Sequence, residues 1–366
     1  MIAKIQNYAL GYRTVVVALD ETVASQALED GLGVLLVFEG SAMLFPDRVS
    51  LTLCAGSHIE KLGNYDVCTI WEDGTIHRVY DDASTDNYLF VTGMCNSNCV
   101  MCPTPEALRK NAPEPNIPSL MEIARSIPVD ASHLTVTGGE PFIAGKALFP
   151  LISLLKQRFT GTEFLFLTNG RVFAMREYAD LFSETAPANS IVAIPLHGSR
   201  ASVHDAITQA PGSFEQTIRG VANLLKRGVR VEIRLVVSRL TVEDFDNIAN
   251  LICSTFPGVE YVSVVAMEMT GNARKNKEAV WMPYGEAFSS ISDSLRNMVA
   301  RGVDVRLYNF PLCQVERPFW TLCEKSISPT KVKYSDVCAL CAYKSACGGV
   351  FAGTYNLEKD ELRALC

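Results

Sequence analysis

Cys95, Cys99 and Cys102 fall within eight residues of the run GMCNSNCVMCP. Their C-x3-C-x2-C spacing can give three thiolates to one iron–sulfur cube with no fourth from the same loop, which leaves one iron open to another ligand. Alone, the three thiols leave a zinc knuckle equally open, because zinc sites also reuse C-x2-C pairs. A second group lies in the tail: Cys313, then Cys338, Cys341 and Cys347 spaced C-x2-C-x5-C. Four thiolates close a cluster, and they also match the ligand count of a structural zinc. Cys323, which likewise precedes the C-x2-C pair, is the alternative to Cys313. Cys54, Cys68, Cys253 and Cys366 have no ligand spacing and read as buried or incidental thiols.

Other residues have the types needed to hold a ligand. In Gly138-Gly139-Glu140-Pro141 two glycines let backbone approach a ligand closely, and the carboxylate can accept from a substrate ammonium; alone, the segment is a turn. Thr168-Asn169-Gly170 has the composition of a strand end with an Asn-Gly turn. His197 suits either a structural or a ligand-binding role. Arg234 and Ser238 share one face of a strand, where an Arg can clamp a carboxylate with two hydrogen bonds. Met267 closes another apolar run and serves equally as core filler.

Stepping outward to the elements, short β-branched runs alternate with helical patterns from residue 87 onward, which predicts parallel strands joined by crossover helices. Six runs stand at 88–92, 134–137, 163–168, 190–196, 230–237 and 260–267. Phe214, Ile218, Val221 and Leu225, closed by Gly228, form a helical core stripe, as do Phe288, Ile291, Leu295 and Met298, closed by Gly302. In a parallel α/β barrel the active site gathers at the C-terminal strand ends, and the candidate residues follow the first five runs in turn. Residues 1–86 read as a small β-rich unit, with strands at 13–19 and 33–38, a hairpin through Glu72-Asp73-Gly74 and a polar linker at 81–87. A core of 87–302 and a metal-binding tail of 303–366 complete the division, Cys313 following an expected strand at 303–310.

The chain has 366 residues, 48% of them hydrophobic, enough for a full enzyme core. Its net charge of −7 is mixed along the sequence with no basic run, which argues against a nucleic-acid partner. No apolar run is long enough to span a bilayer and no export signal opens the sequence, so a membrane partner is not expected and a cytoplasmic location is. The twelve cysteines then read as reduced, metal-binding thiols rather than a disulfide framework.

The three-cysteine loop and the Gly-Gly-Glu-Pro segment together resemble the radical S-adenosylmethionine (SAM) enzymes. The resemblance implies a partial (βα)6 TIM-like barrel and a 4Fe-4S cluster on Cys95, Cys99 and Cys102 whose open iron chelates SAM. It places Met101 against the adenine through its backbone, Gly138, Gly139, Glu140 and Pro141 at the methionine amino group, and Thr168 and Asn169 at the pocket edge. His197 and Ser199 would lie near ribose or carboxylate, with Arg234, Ser238 and Met267 as further contacts. The tail resembles the twitch and SPASM extensions. Phe351 stands where a full SPASM unit has another cysteine, which implies one auxiliary 4Fe-4S cluster, on Cys313, Cys338, Cys341 and Cys347.

A narrower likeness, carried by GMCNSNCVMCP, TVTGGEPF, IPLHGSRASVHD, AMEMTGNAR and CGGVFAG, is to the His-Xaa-Ser system maturases. It implies a ribosomally made peptide or protein as substrate, a flavodoxin- or ferredoxin-like reductant, and a 5'-deoxyadenosyl radical that abstracts hydrogen. Two other readings stand beside it: a twitch-type radical SAM enzyme acting on a small molecule, and a non-catalytic zinc-stabilised binding protein. An open groove between the barrel and the smaller units is expected for a peptide enzyme, and a closed chamber for a small-molecule one.

Overall fold

The computed structural model describes residues 2–38 and 41–366. An N-terminal sheet runs β1 (Ala3–Lys4), β2 (Arg13–Ala18), β3 (Val34–Phe38), β4 (Ser41–Phe45), β5 (Val49–Leu51), β6 (Val67–Ile70) and β7 (Thr75–Tyr80), in the order β1-β7-β6-β2-β3-β4-β5. The expected hairpin forms between β6 and β7: Gly74 turns at φ +79°, and Asp73 accepts from the Thr75 N–H at 3.0 Å. One element was not legible in the sequence, a helix at Glu21–Glu29 that makes β2 and β3 parallel neighbours. Asp20 caps it by accepting from the N–H groups of Thr22 and Val23.

The larger sheet has eight parallel strands in sequence order: β8 (Tyr88–Phe90), β9 (His133–Thr137), β10 (Glu163–Leu167), β11 (Ser190–Pro195), β12 (Arg230–Val237), β13 (Tyr261–Ala266), β14 (Val305–Tyr308) and β15 (Cys323–Glu324). Six of them match the expected runs; β14 and β15 carry the sheet past residue 302. The two ends, β8 and β15, are not paired to each other. Alternation decides the faces. Val231, Ile233, Leu235 and Val237 of β12 are buried under helices, while Arg230, Glu232 and Arg234 take the other face. The helix Tyr284–Ala300 buries its predicted stripe, whereas in Ser213–Leu225 only Val221 of the stripe is buried and Phe214, Ile218 and Leu225 pack half-buried against the core; Gly228 and Gly302 follow the two helices at φ +70° and +83°.

Below the mouth, Phe142, Phe166, Phe173 and Phe182 pack edge to face, with ring centroids 4.8 Å apart for Phe142–Phe173 and 5.1 Å for Phe166–Phe182. This cluster seats the loops after β9 and β10 from beneath. The N-terminal unit packs two hydrophobic clusters of its own, one around Val15, Val17, Leu35 and Ile76 and one around Val16, Val23 and Val34, and joins the barrel core through Val67 and Tyr80. The 81–87 segment is a closed turn: Asn87 accepts from the Asp81 N–H and donates to the Asp81 and Ser84 carbonyls. The tail adds the hairpin β16 (Val332–Lys333) and β17 (Val350–Phe351). Among the described residues no helix is long and apolar enough to cross a membrane.

Candidate functional site

Cys95, Cys99 and Cys102 lie on the loop that follows β8, and the chain fixes that loop from several sides. Its N–H groups at Asn98 and Val100 donate to the Thr208 and Ile207 carbonyls at 2.9 Å each. Buried Arg109 donates to the Ser97 carbonyl at 2.8 Å and to Asn98 Oδ1 at 2.6 Å. Arg171 reaches the Asn96 carbonyl at 2.7 Å and Ser97 Oγ at 3.0 Å. From the loop after β13, the Asn272 N–H donates to the Cys102 carbonyl at 2.8 Å, its side chain to the Cys99 carbonyl at 3.0 Å, and Asn276 to the Val100 carbonyl at 2.8 Å. Gly271 must be glycine here, because a Cβ would sit 2.2 Å from the Pro103 carbonyl oxygen and its φ is +52°.

Within this frame the backbone of Met101 differs from its neighbours: its N–H and C=O have no partner among the described residues. Burial pushes the Cys99 thiol up to about 12, with Cys102 and Cys95 adding to the rise, and burial likewise raises that of Cys95, with Glu140 and then Cys102 adding to it. Three adjoining bare thiolates are therefore costly, and a cationic centre that draws them into coordination offsets that cost. Among the described residues no three His, Cys, Asp or Glu side chains are arranged to hold one metal ion. The donor set is three thiols on one pinned loop, which fits three corners of a cube.

The Gly-Gly-Glu-Pro segment is used differently from its sequence reading. The Gly139 N–H donates to the Thr92 carbonyl and the Glu140 N–H to the Met94 carbonyl, both at 2.8 Å. A Cβ on Gly139 would lie 2.4 Å from the Met94 oxygen, so the glycine allows two loops, rather than a loop and a ligand, to close on each other. The Glu140 carboxylate is 2% exposed and accepts from the Phe142 N–H (3.0 Å), Thr168 Oγ1 (2.8 Å) and the Asn169 N–H (2.7 Å). It is a strut between the loops after β9 and β10, and an ammonium there would share a carboxylate that already holds three donors. Burial pushes this carboxyl up against the opposing pull of its donors. Pro141 opens the short helical turn that follows.

Several other polar candidates are also spent on the protein itself. Thr168 holds Glu140, and the Asn169 side chain donates to Asn96 Oδ1 at 2.7 Å. Ser199 gives both its N–H (2.6 Å) and its hydroxyl (2.9 Å) to buried Asp244, which also pairs with Arg200 at 3.2 Å. Ser238 is wholly buried and caps the helix Arg239–Val242 in a reciprocal box with Thr241. Met267 is buried, and its carbonyl accepts from Tyr284 Oη at 2.8 Å. Ser199 and Ser238 thus find their hydrogen-bond partners within the protein. Polar groups at the starts of the following helices satisfy them, and single positions in a sequence do not display such partners.

His197 is different. It is 4% exposed, and its Nδ1 has no hydrogen-bond partner among the described residues. Its backbone N–H donates to His204 Nδ1 at 3.1 Å, and burial holds the two rings at about 3 and about 4, so both are neutral at pH 7. An orphaned buried nitrogen beside a strand end is the feature expected of a ligand-facing group.

Inside the sheet, Arg234 Nε lies 2.8 Å from Glu232 Oε1, an ion pair whose angle is not that of a hydrogen bond. The Arg234 guanidinium also lies 6.0 Å from the Tyr308 ring centroid. Glu232 accepts from Ser263 Oγ and from Tyr261 Oη at 3.1 Å. Arg234 was legible in the sequence, and Glu232 could have been found from the polar residues at lumen-facing positions of β12, whereas Arg109, Arg171 and Asn272 carried no such signal.

In the tail, Cys313, Cys338, Cys341 and Cys347 line one cavity together with Lys333, Lys344 and Arg363. N–H groups of Leu312 and Gly349 point at the Cys347 sulfur at 3.4 Å each, and that of Leu365 at the Cys341 sulfur at 3.5 Å. Three cations and these N–H donors complement four thiolates. Cys323 does not line the cavity; its Sγ donates to the Phe319 carbonyl at 3.8 Å.

The sequence model of the Radical SAM superfamily matches residues 89–252. The AdoMet-dependent heme synthase of Nitratidesulfovibrio vulgaris is 25% identical over 162 residues, 44% of this chain and 42% of that protein. The chain thus spans less than half the length of this curated relative. Similar solved structures include Streptococcus suis SuiB bound to the precursor peptide SuiA, with a TM-score of 0.49, 9% identity, and coverage of 60% of this chain and 48% of that one. Native anSMEcpe with bound AdoMet gives a TM-score of 0.47 at 16% identity, covering 60% and 63%.

Proposed function

We propose that this chain, a radical SAM enzyme by its domain at residues 89–252, modifies a ribosomally made peptide or small protein, as in His-Xaa-Ser maturation systems. The observation that carries the reading is a groove of about 1060 Å³ between the N-terminal unit, β8 and the tail. Trp71 and His77 form one wall, Tyr88 and Phe90 a second, and Lys331 and Phe351 a third. It exceeds the volume of most small-molecule pockets, which leaves room for several residues of a peptide.

In this reading Cys95, Cys99 and Cys102 hold the SAM cluster, with Met101 and His197 presenting free polar atoms to SAM. Bound there, SAM supplies on reductive cleavage a 5'-deoxyadenosyl radical that takes a hydrogen atom from the substrate. Arg109, Arg171 and Asn272 keep the loop rigid, and the packed strand ends keep water from the reacting atoms. Cys313, Cys338, Cys341 and Cys347 hold an auxiliary 4Fe-4S cluster, and a small electron-transfer protein such as a flavodoxin or ferredoxin delivers the electron. A small-molecule substrate is the second reading, favoured by the name of the curated heme synthase relative.

The test uses oxygen-free, reconstituted protein with SAM, a chemical reductant and a synthetic His-Xaa-Ser repeat peptide. A mass change in the peptide together with 5'-deoxyadenosine release supports the proposal, and Cys99→Ala must abolish both while auxiliary iron is kept. Release with no peptide modified, accompanied by turnover of a tetrapyrrole precursor, favours the second reading. Zinc without iron at the barrel mouth overturns both.

A further inference from the structure

Strand β8 ends the eight-stranded sheet and uses only one of its two edges. The Asn87 carbonyl accepts from the Thr135 N–H at 3.0 Å and the Val91 N–H donates to the Thr137 carbonyl at 2.8 Å, so residues 87, 89 and 91 face β9. By alternation, the N–H and C=O groups of Tyr88 and Phe90 point away from β9, and none has a partner among the described residues. The two residues are 56% and 51% exposed, and they line the groove with Trp71, which is 54% exposed. On the far side the groove is bounded by residues 326 and 328–331, just past β15, the other unpaired end of the sheet.

Natural sheets cover or blunt such edges, and an open one beside an aromatic-lined groove is a template for an added strand. Resting on the peptide-substrate reading above, we propose that the substrate docks as an extended strand on the outer edge of β8. The Tyr88 and Phe90 backbone pairs with every second peptide residue, and the intervening side chains lie among Trp71, Tyr88 and Phe90. The occupant carries a cationic residue at one end, because Asp81 and Asp86 line the groove before β8 and Asp86 has no ion-pair partner among the described residues. Arg78, the cation beside them, is already shared between Asp66 and Asp81. Docking here also sets direction toward the chemistry, since β8 runs straight into Thr92 and the loop bearing Cys95. A peptide continuing along β8 is delivered to the mouth, and the two sheet ends no longer face an open gap.

The experiment uses the reconstituted full chain and a displayed library of random linear peptides, from which one binder is selected. That binder is resynthesised with a single backbone N-methyl group at each position in turn. Strand addition gives alternation: methylation of every second residue over a short stretch weakens binding about tenfold, the loss of one ladder hydrogen bond, and the intervening positions are tolerated. Phe90→Pro, which removes an outward N–H without touching the β8–β9 ladder, weakens the unmethylated peptide, and Phe90→Leu, which keeps that N–H, weakens it less. Tolerance without alternation, or full binding by the Phe90→Pro protein, overturns strand addition and leaves a peptide substrate standing. Failure of the unaltered protein to enrich any peptide overturns the peptide reading itself. The methyl scan leaves the protein untouched, so misfolding of a variant cannot produce the alternation.

Discussion

The Asn272 backbone N–H donates to the Cys102 carbonyl at 2.8 Å while its side chain holds the Cys99 carbonyl at 3.0 Å, so one residue after β13 grips two of the three thiol-bearing residues. Asn272→Ala keeps the first bond and removes the second, together with the bond to Asn98 Oδ1. Loss of buried hydrogen bonds of this kind costs about 1–3 kcal/mol. The variant is expected to bind iron at the first loop less tightly and to release less 5'-deoxyadenosine, with tail iron unchanged. Unaltered iron retention under a mild chelator would show that the grip is dispensable.

The tail thiols separate by what surrounds each sulfur. Cys313 shares its cavity with Cys338, Cys341 and Cys347, whereas Cys323 donates to a carbonyl, the role of a protonated thiol. Cys323→Ala is therefore expected to retain the full iron content of the tail, and Cys313→Ala to lose part of it and change its electron paramagnetic resonance signal. The reverse pattern would exchange the two assignments.

What could be read in advance followed from periodicity and spacing. The six central strands and two core helices obey patterns local to each element, and Cys338, Cys341 and Cys347 share a ligand spacing. What could not be read was mutual satisfaction. Ser199 meets Asp244 across 45 residues, and Glu140 meets Thr168 and Asn169 across 28 and 29, so a polar side chain at a strand end looks free in the sequence although the fold has consumed it. Arg109 and Arg171 escaped notice for the same reason: their worth lies in carbonyls they reach only after the loop has closed.

Glu140→Gln tests the strut directly. The carboxylate accepts from three donors, and a glutamine must turn its NH2 toward at least one of them. A cost of about 2 kcal/mol is expected from one lost charge-assisted bond, seen as a lower Tm of the protein before any SAM is added. SAM affinity should fall with it, because the loops after β9 and β10 separate. A variant with unchanged Tm and a selective loss of SAM affinity would return Glu140 to the role of ligand acceptor.

Glu358 sits between the tail and the barrel, fully buried, with Oε1 accepting from the Tyr284 N–H at 2.8 Å and Oε2 without a partner among the described residues. Burial raises its carboxyl to about 7, with Glu361 adding to the rise and the Tyr284 N–H opposing it. The folded protein therefore holds this proton over a pH range in which the unfolded chain, near 4.5, has released it. Its contribution to stability is complete below about pH 4.5 and is lost as the pH rises through 7. Glu358→Gln keeps the oxygen that accepts from Tyr284 and removes the titration. The Tm difference, variant minus parent, is thus expected to climb between pH 5 and pH 8, measured by calorimetry at several pH values in matched buffers. A difference that stays flat across that range would mean that Glu358 is ionised in the folded protein throughout, and that the contact between tail and barrel tolerates a buried charge.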